Sequence, residues 1–495
     1  MEYWSTGVMG LTALQYSNTP VLQYSVAPIL QCNLLEAGCW TSPMRLTKEK
    51  VLVVGLGKSG LSVVRYLVRA GALVTVSDMK KETDLEPGMV QEMRNLGVTL
   101  ETGGHTIDTF IRAERIVVSP GVPLDLAPLA AAKEKGIPVT GEMDLAVQII
   151  HTPIVAVTGT NGKSTVTAFL GSLLQNAGHK VFIGGNLGTP LIDYAAGRSK
   201  ADVAVVEVSS FQLDTMEGFS PLVAVLLNIS PDHLDRYLNY EAYVQSKLKI
   251  FKNQVSGDFA ILNDDDEVLS SFAPQRDVSV LRYGLKKKDH RLAFVEGKEI
   301  RAGLPGKESH LFDLQKCALP GKHNVENMMA AALAGLALNV EPPVIQRTMD
   351  QFQGLPHRQE LSGRIREVDF YDDSKATNVD AAIRSIASFD RPILLIAGGR
   401  HKGGDYAPLV RVARGRVKKA FLMGESKPLM AEAFEGRIPY ATADDMQDAV
   451  SKAFSVAKPH DVVLLAPACS SFDMFTDYAH RGRAFKEAVE GLRHG

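Results

Sequence analysis

The chain has 495 residues, 22% of them charged, and a formal net charge of −2; that length calls for roughly two to four domains, and that charge gives no reason to expect nucleic acid or an anionic membrane as partner. No apolar run reaches the length of about eighteen residues that a membrane span needs. Cys32, Cys39, Cys317 and Cys469 are too few and scattered for a disulfide framework or a four-ligand zinc site, which fits a reducing cytoplasm.

Residues 1–43 hold both tryptophans, Trp4 and Trp40, two of the cysteines and no Lys or Arg, and they carry a crude repeat around Leu14–Pro20 and Leu22–Pro28. Without a positive n-region this is no secretory signal. The segment is expected to be a non-native or disordered extension without a role in the chemistry, and the protein proper to start at Met44.

From Val51 short β-branched runs alternate with helical stretches, the pattern of parallel α/β layers. Strands are predicted at Val51–Val54, Leu73–Val76, Ile116–Val118, Ile154–Val157, Val203–Val206, Val223–Leu227, Phe259–Leu262, Ile393–Ile396, Ala420–Met423 and Val462–Leu465. Three blocks emerge: 44–141, 142–354 with a polar insertion near Leu285–Gly306, and 355–495 after a hinge at Gly354–Arg358. Conspicuous residues follow several strands, where parallel sheets place their ligands.

In the first block Gly55-Leu56-Gly57-Lys58-Ser59-Gly60 fits a dinucleotide fingerprint, with Asp78 after the second strand where a ribose hydroxyl would be met. Its physics is close approach of backbone to phosphate, which serves NAD or a UDP group.

In the second block Gly159-Thr160-Asn161-Gly162-Lys163-Ser164-Thr165 follows a strand and opens a helix. Backbone N–H groups and the helix dipole then meet one spot, where Lys163 adds a cation and Ser164 a magnesium-ligating hydroxyl: a nucleoside triphosphate site. Val157 stands where the usual P-loop has its first glycine, which points away from GTPases and kinases. Glu207, leaving a neighbouring strand, suits magnesium, and the polar run 228–237 offers His233 as a ligand or positioning group. Lys247 lies in an amphipathic helix and reads as a surface lysine. Asn324 and Asn327, three apart on one helix, cap it or meet a nucleotide base.

The third block contributes Asp372–Asn378, Gly398–Asp405 and Pro467–Asp473, three loops mixing cations with hydroxyls, which suit an acidic small substrate and phosphate oxygens. Cys469 reads equally as a buried small side chain or as a nucleophile.

From about Lys50 onward these motifs together resemble the Mur ligases, most closely their D-glutamate-adding branch. The resemblance implies an α/β fold of three domains: a Rossmann-like UDP-substrate domain (44–141), a central P-loop ATPase-like parallel-sheet domain (142–354) and a Rossmann-like D-glutamate domain (355–495). It implies an ATP-dependent amide ligase of peptidoglycan precursor synthesis that adds D-glutamate to UDP-N-acetylmuramoyl-L-alanine through an acyl phosphate. The enzyme is expected to act as a cytoplasmic monomer.

Lys163, Glu207, His233 and Lys247 then carry catalysis. Gly159–Thr165, Asn186, Asn324, Asn327, Arg358 and Asp373 hold ATP, and Ser164, Glu207, His233 and a carbamylated Lys247 hold two magnesium ions. Lys58, Ser59, Asp78, Ser119 and Gly121 fall at the uridine nucleotide; Thr377, Lys402, Ser471 and Phe472 fall at D-glutamate. Tyr478 stands where the resemblance expects phenylalanine.

Overall fold

A computed structural model of the chain describes residues 46–493, apart from 198, 199, 235, 276, 318, 320, 402 and 404. The segment 1–43 and Lys402 therefore lie outside the described residues.

The Val- and Ile-rich runs form buried strands, as β-branched side chains do when both faces of a sheet are covered. The first sheet has the order Thr99–Thr102, Leu73–Asp78, Lys50–Val54, Arg115–Val118, Val139–Gly141, all parallel. Its order reverses between Lys50–Val54 and Arg115–Val118, so the turn at Gly55 and Ser119 sit at the switch point where open sheets bind ligands.

The second sheet places Ile154–Thr158 between Val203–Glu207 and Val223–Leu226, with Val181–Gly185 beyond the former and Phe259–Asn263, then Ser279–Tyr283, beyond the latter. Three adjacent carboxyl ends thus deliver the turn at Gly159, Glu207 and the loop from Asn228. The polar insertion turns out to be structured: Ala293–Glu296 and Glu299–Ala302 form an antiparallel hairpin that continues to His310–Asp313 and widens the sheet. Its root is pinned by Arg291, whose buried guanidinium donates to Asp264 Oδ2 and Asp265 Oδ1.

The third sheet runs Glu360–Ile365, Val368–Asp372, Val462–Leu465, Ile393–Gly398, Val417–Met423, Tyr440–Thr442, antiparallel only at its first pair. The strand Val368–Asp372 is not among those expected from sequence, because Asp369 and Asp372 interrupt its apolar pattern. Asp369 is buried yet satisfied by Arg364 and Arg391. Its neighbour order brings the loops after Asp372, Leu465 and Gly398 side by side. Several strands also run past their predicted ends, to Asp78, Thr158, Glu207, Asn263 and Gly398, while Val223–Leu226 stops short of Leu227.

The first sheet's helix Lys58–Arg69 buries Val63, Val64 and Leu67 and touches the second domain through polar groups. Lys58 Nζ donates to Gly188 O (2.6 Å) and Ser62 Oγ to Asp193 Oδ2 (2.8 Å), while Arg236 Nη1 reaches back to Gly121 O (2.9 Å).

Candidate active site

The turn after Ile154–Thr158 is wound by Gly159 (φ +151°) and Gly162 (φ +88°), conformations that glycine adopts without a Cβ penalty. A Cβ on Gly162 would stand 2.5 Å from Asn327 Oδ1, so the close approach of the loop to the helix Lys322–Ala337 also requires glycine. Asn228 locks the turn from the next strand: its Oδ1 accepts from Asn161 N (2.9 Å) and its Nδ2 donates to Asn161 O (3.0 Å). Lys163 curls over the loop, donating to Gly159 O and Thr160 O at 2.9 Å each. Ser164 and Thr165 are buried at the start of the helix Lys163–Asn176.

Glu207 is buried, with Oε1 accepting from Asn186 Nδ2 (2.6 Å), whereas Oε2 has no hydrogen-bond partner among the described residues. A buried oxygen without a donor is costly, and an oxygen-seeking cation would satisfy it. His233 has φ +56° and packs edge-on against Phe211, with ring centroids 4.8 Å apart. Its Nε2 lies 3.7 Å from Asp232 Oδ2.

Lys247 departs from the surface reading. It is 1% exposed, its Nζ donating to Gly159 O (2.8 Å) and lying 4.7 Å from the centre of the Tyr243 ring. Burial, with Lys163 as the next cause, pushes the amine well below the usual lysine range. The helix Tyr240–Leu248 has little amphipathic contrast, and both Tyr243 and Lys247 face inward.

The third domain closes over the P-loop. Arg358 Nη2 donates to Ser164 Oγ (2.8 Å), and Asn161 Nδ2 donates to Asp380 Oδ2 (2.7 Å). Between these domains runs a cleft lined by Gly162, Asn324, Asn327, Arg358 and Asp373. Asn327 Nδ2 donates to Asn324 Oδ1 (3.2 Å), so the pair lies together at the cleft and not at a helix cap. Burial pushes the Asp373 carboxyl up to about 6, against the opposing pull of Ser385 and Arg358.

In the first domain Ser119 Oγ donates to Gly55 O (2.7 Å), and Asp78 accepts from Leu56 N (2.6 Å) and Lys80 N (2.8 Å). The bond from Leu56 N ties the glycine turn to the end of the neighbouring strand. Ser59 is half-buried one residue into the helix. Ser119 also lines a second cleft of about 790 Å³ between the first two domains, whose far wall is Phe211, Arg236 and Tyr237.

The third domain's polar loops are tied together by Arg481, a residue the sequence reading missed because it lies in the helix Tyr478–Gly491 like any surface arginine. It is 1% exposed and donates to Ser374 Oγ and O, Cys469 O and Ser470 O. Ala468 N donates to Ala376 O (2.9 Å), seating the loop that carries Ser471 and Phe472 beside Thr377. Ser471 is buried and Phe472 exposed. Cys469 is a buried thiol bonded to Tyr406 and Ser426 and pushed up by burial, an environment unsuited to a nucleophile. Tyr478 lies under the Lys375 ammonium, 3.8 Å from ring centre to Nζ.

Three family models match in succession: the Mur ligase MurD-like N-terminal domain over residues 49–141, the Mur ligase middle domain over 157–335 and the Mur ligase glutamate ligase domain over 357–469. The UDP-N-acetylmuramoylalanine--D-glutamate ligase of Desulfosudis oleivorans is 46% identical over 464 residues, 92% of this chain and 98% of that protein. The protein of the same name from Geotalea uraniireducens is 42% identical, over 91% and 99%. Among solved structures, a pseudomurein peptide ligase type C from Methanothermus fervidus aligns with a TM-score of 0.58 at 20% identity, over 90% of this chain and all of that one. MurF ligase from Thermotoga maritima in complex with ADP aligns at 0.57 and 18%, over 91% and 97%; both speak for the fold alone.

Proposed function

The chain belongs to the Mur ligase family, and from that premise we propose that it joins D-glutamate to UDP-N-acetylmuramoyl-L-alanine at the expense of ATP. The observation that carries this reading is the convergence of Lys163, Glu207, Lys247 and Arg358 around one glycine turn, with relatives named for that reaction matching from end to end.

A carboxylate is a poor electrophile toward an amine. The alanyl carboxylate therefore attacks the γ-phosphorus of ATP, the bond to the β-phosphate oxygen breaks, and ADP leaves behind an acyl phosphate. The amine of D-glutamate attacks the acyl carbon, the bond to the phosphate oxygen breaks, and the ammonium loses its proton. Lys163, freed from its two carbonyls, follows the transferring charge. Arg358 and Asp373 hold the nucleotide from the third domain, while Asn324 and Asn327 face its base. Closure of that domain excludes water from the acyl phosphate.

Two magnesium ions fit the donors present: the unpartnered Glu207 Oε2, the Ser164 hydroxyl and the His233 ring. Once bound, they neutralise charge on the transferring phosphoryl group. Lys247 is suited to carbamylation, since burial disfavours its charged form, and a neutral amine adds its lone pair to CO2 and releases one proton, giving an oxygen anion. Lys58, Ser59, Asp78, Ser119 and Gly121 are assigned to the uridine nucleotide, and Thr377, Lys402, Ser471 and Phe472 to D-glutamate. The test is phosphate release from ATP with UDP-N-acetylmuramoyl-L-alanine: D-glutamate should drive it, and release driven equally by L-glutamate or another amino acid would overturn the assignment.

A further inference from the structure

Asn378 uses both ends of its amide. Oδ1 accepts from Ala381 N (2.7 Å), capping the helix Val379–Ala387, and Nδ2 donates across the domain boundary to Asp232 Oδ2 (2.9 Å). The cap fixes which end of the amide points outward. Asp232 in turn receives the N–H of its neighbour His233 on Oδ1 (3.0 Å). Two donors, one from each domain, thus set the rotation of a single carboxylate, and the His233 ring lies 3.7 Å from it.

Among the described residues, those from Asn228 to Asn239 belong to no helix or strand, and His233 holds a left-handed backbone that a non-glycine residue keeps only when its surroundings enforce it. Asp380, two residues past Asn378, grips the same region: its Oδ2 also accepts from Ser230 Oγ (3.1 Å). The start of one helix in the third domain therefore holds the loop at two points just ahead of its histidine.

We propose that Asn378 is a positioning residue for His233: through Asp232 it ties the orientation of the imidazole to the docking of the third domain. The inference rests on the reading of His233 as a ligand of the reaction's metal. It adds that the metal site is complete only when the amino-acid-binding domain is in place.

Two variants separate this from a structural role. Asn378→Asp retains a cap acceptor but sets a carboxylate against Asp232; Asn378→Ser retains the cap and lacks the reach. In the full-length protein labelled with 13C at histidine Cε1, the His233 signal, assigned by its loss in His233→Gln, should move out of the ring-current field of Phe211 in both variants. It should return in the double variant Asn378→Asp with Asp232→Asn, which reverses donor and acceptor. The turnover number should fall about tenfold, as for loss of a hydrogen bond to a charged group, with the Michaelis constant for ATP changed less than about twofold and the melting temperature retained. A His233 signal unmoved in both single variants would overturn the proposal. Unchanged Mn2+ affinity of the nucleotide complex in His233→Ala would instead refute the metal reading, with the positioning result standing by itself.

Discussion

The ammonium groups of Lys163 and Lys247 converge on one acceptor, the carbonyl oxygen of Gly159, at 2.9 and 2.8 Å. Two full cations on one oxygen repel, and burial, with Lys163 as the next cause, lowers the proton affinity of the Lys247 amine. Lys247 is fully buried and Lys163 only partly so, and the two lysines should fail differently when removed.

Lys163→Ala should abolish ligation and leave binding of the UDP-substrate nearly unchanged, because the two nucleotides are assigned to different domains. Calorimetry with each ligand checks it; equal loss of both in a folded variant would contradict the assignment.

Lys247→Ala should slow phosphoryl transfer by roughly a hundredfold, the scale of removing one stabilising group from a water-excluded site. Acetate should restore part of the rate by supplying the missing anion, whereas methylamine should not. Full activity without additives would end the carbamate role.

Glu142 titrates in the wrong range for a surface carboxylate. Burial pushes it from 4.5 up to about 7, despite the Ile192 N–H that it accepts at 2.7 Å. A carboxyl whose folded value is raised favours the fold while it is protonated. Its contribution is complete below pH 4.5 and is lost as pH rises through about 7, a swing of about 3 kcal/mol. Glu142→Gln should raise the melting temperature above pH 7 relative to the parent and flatten the profile between pH 5 and 8. Parallel profiles would show that Glu142 ionises freely.

Gly60→Ala should damage the first domain selectively. The added Cβ would stand 2.0 Å from Gly55 O and 2.8 Å from Ser119 Oγ, and a backbone carbonyl in a tight turn has nowhere to go. Overpacking of this kind costs about 1–3 kcal/mol. Affinity for the UDP-substrate should drop while ATP binding is kept, as titration of each would report.

Lys402→Ala should raise the Michaelis constant for D-glutamate about ten- to a hundredfold, the worth of one charge-assisted pair. A rise confined to ATP or to the UDP-substrate would place this lysine elsewhere.

Much of the site is legible in sequence because its residues are local. The turn at Gly159–Thr165 needs only its own strand and helix, and Glu207 is found by standing at a strand end. Lys247 and Arg481 were not legible as buried residues, since a long cationic side chain on a helix reads as solvated until tertiary contacts supply its acceptors. Resemblance alone singled out Lys247, and nothing singled out Arg481. The pairing of Asp232 with Asn378 joins loops of different domains, and no periodicity encodes a contact between loops so far apart in sequence. The hairpin Ala293–Ala302 escaped because its strands are short and only half apolar.

Three bonds between the first domain and the second, Lys58 to Gly188, Ser62 to Asp193 and Arg236 to Gly121, each set a charged group against a neutral one. Charge–dipole attraction fades with distance faster than attraction between ions, and mobile counterions gain little by intervening. This boundary therefore holds its geometry over a wide range of ionic strength, and it contributes no long-range pull while the domains approach. A salt titration of activity would report on the binding of the anionic substrates and not on the loosening of the platform beneath them.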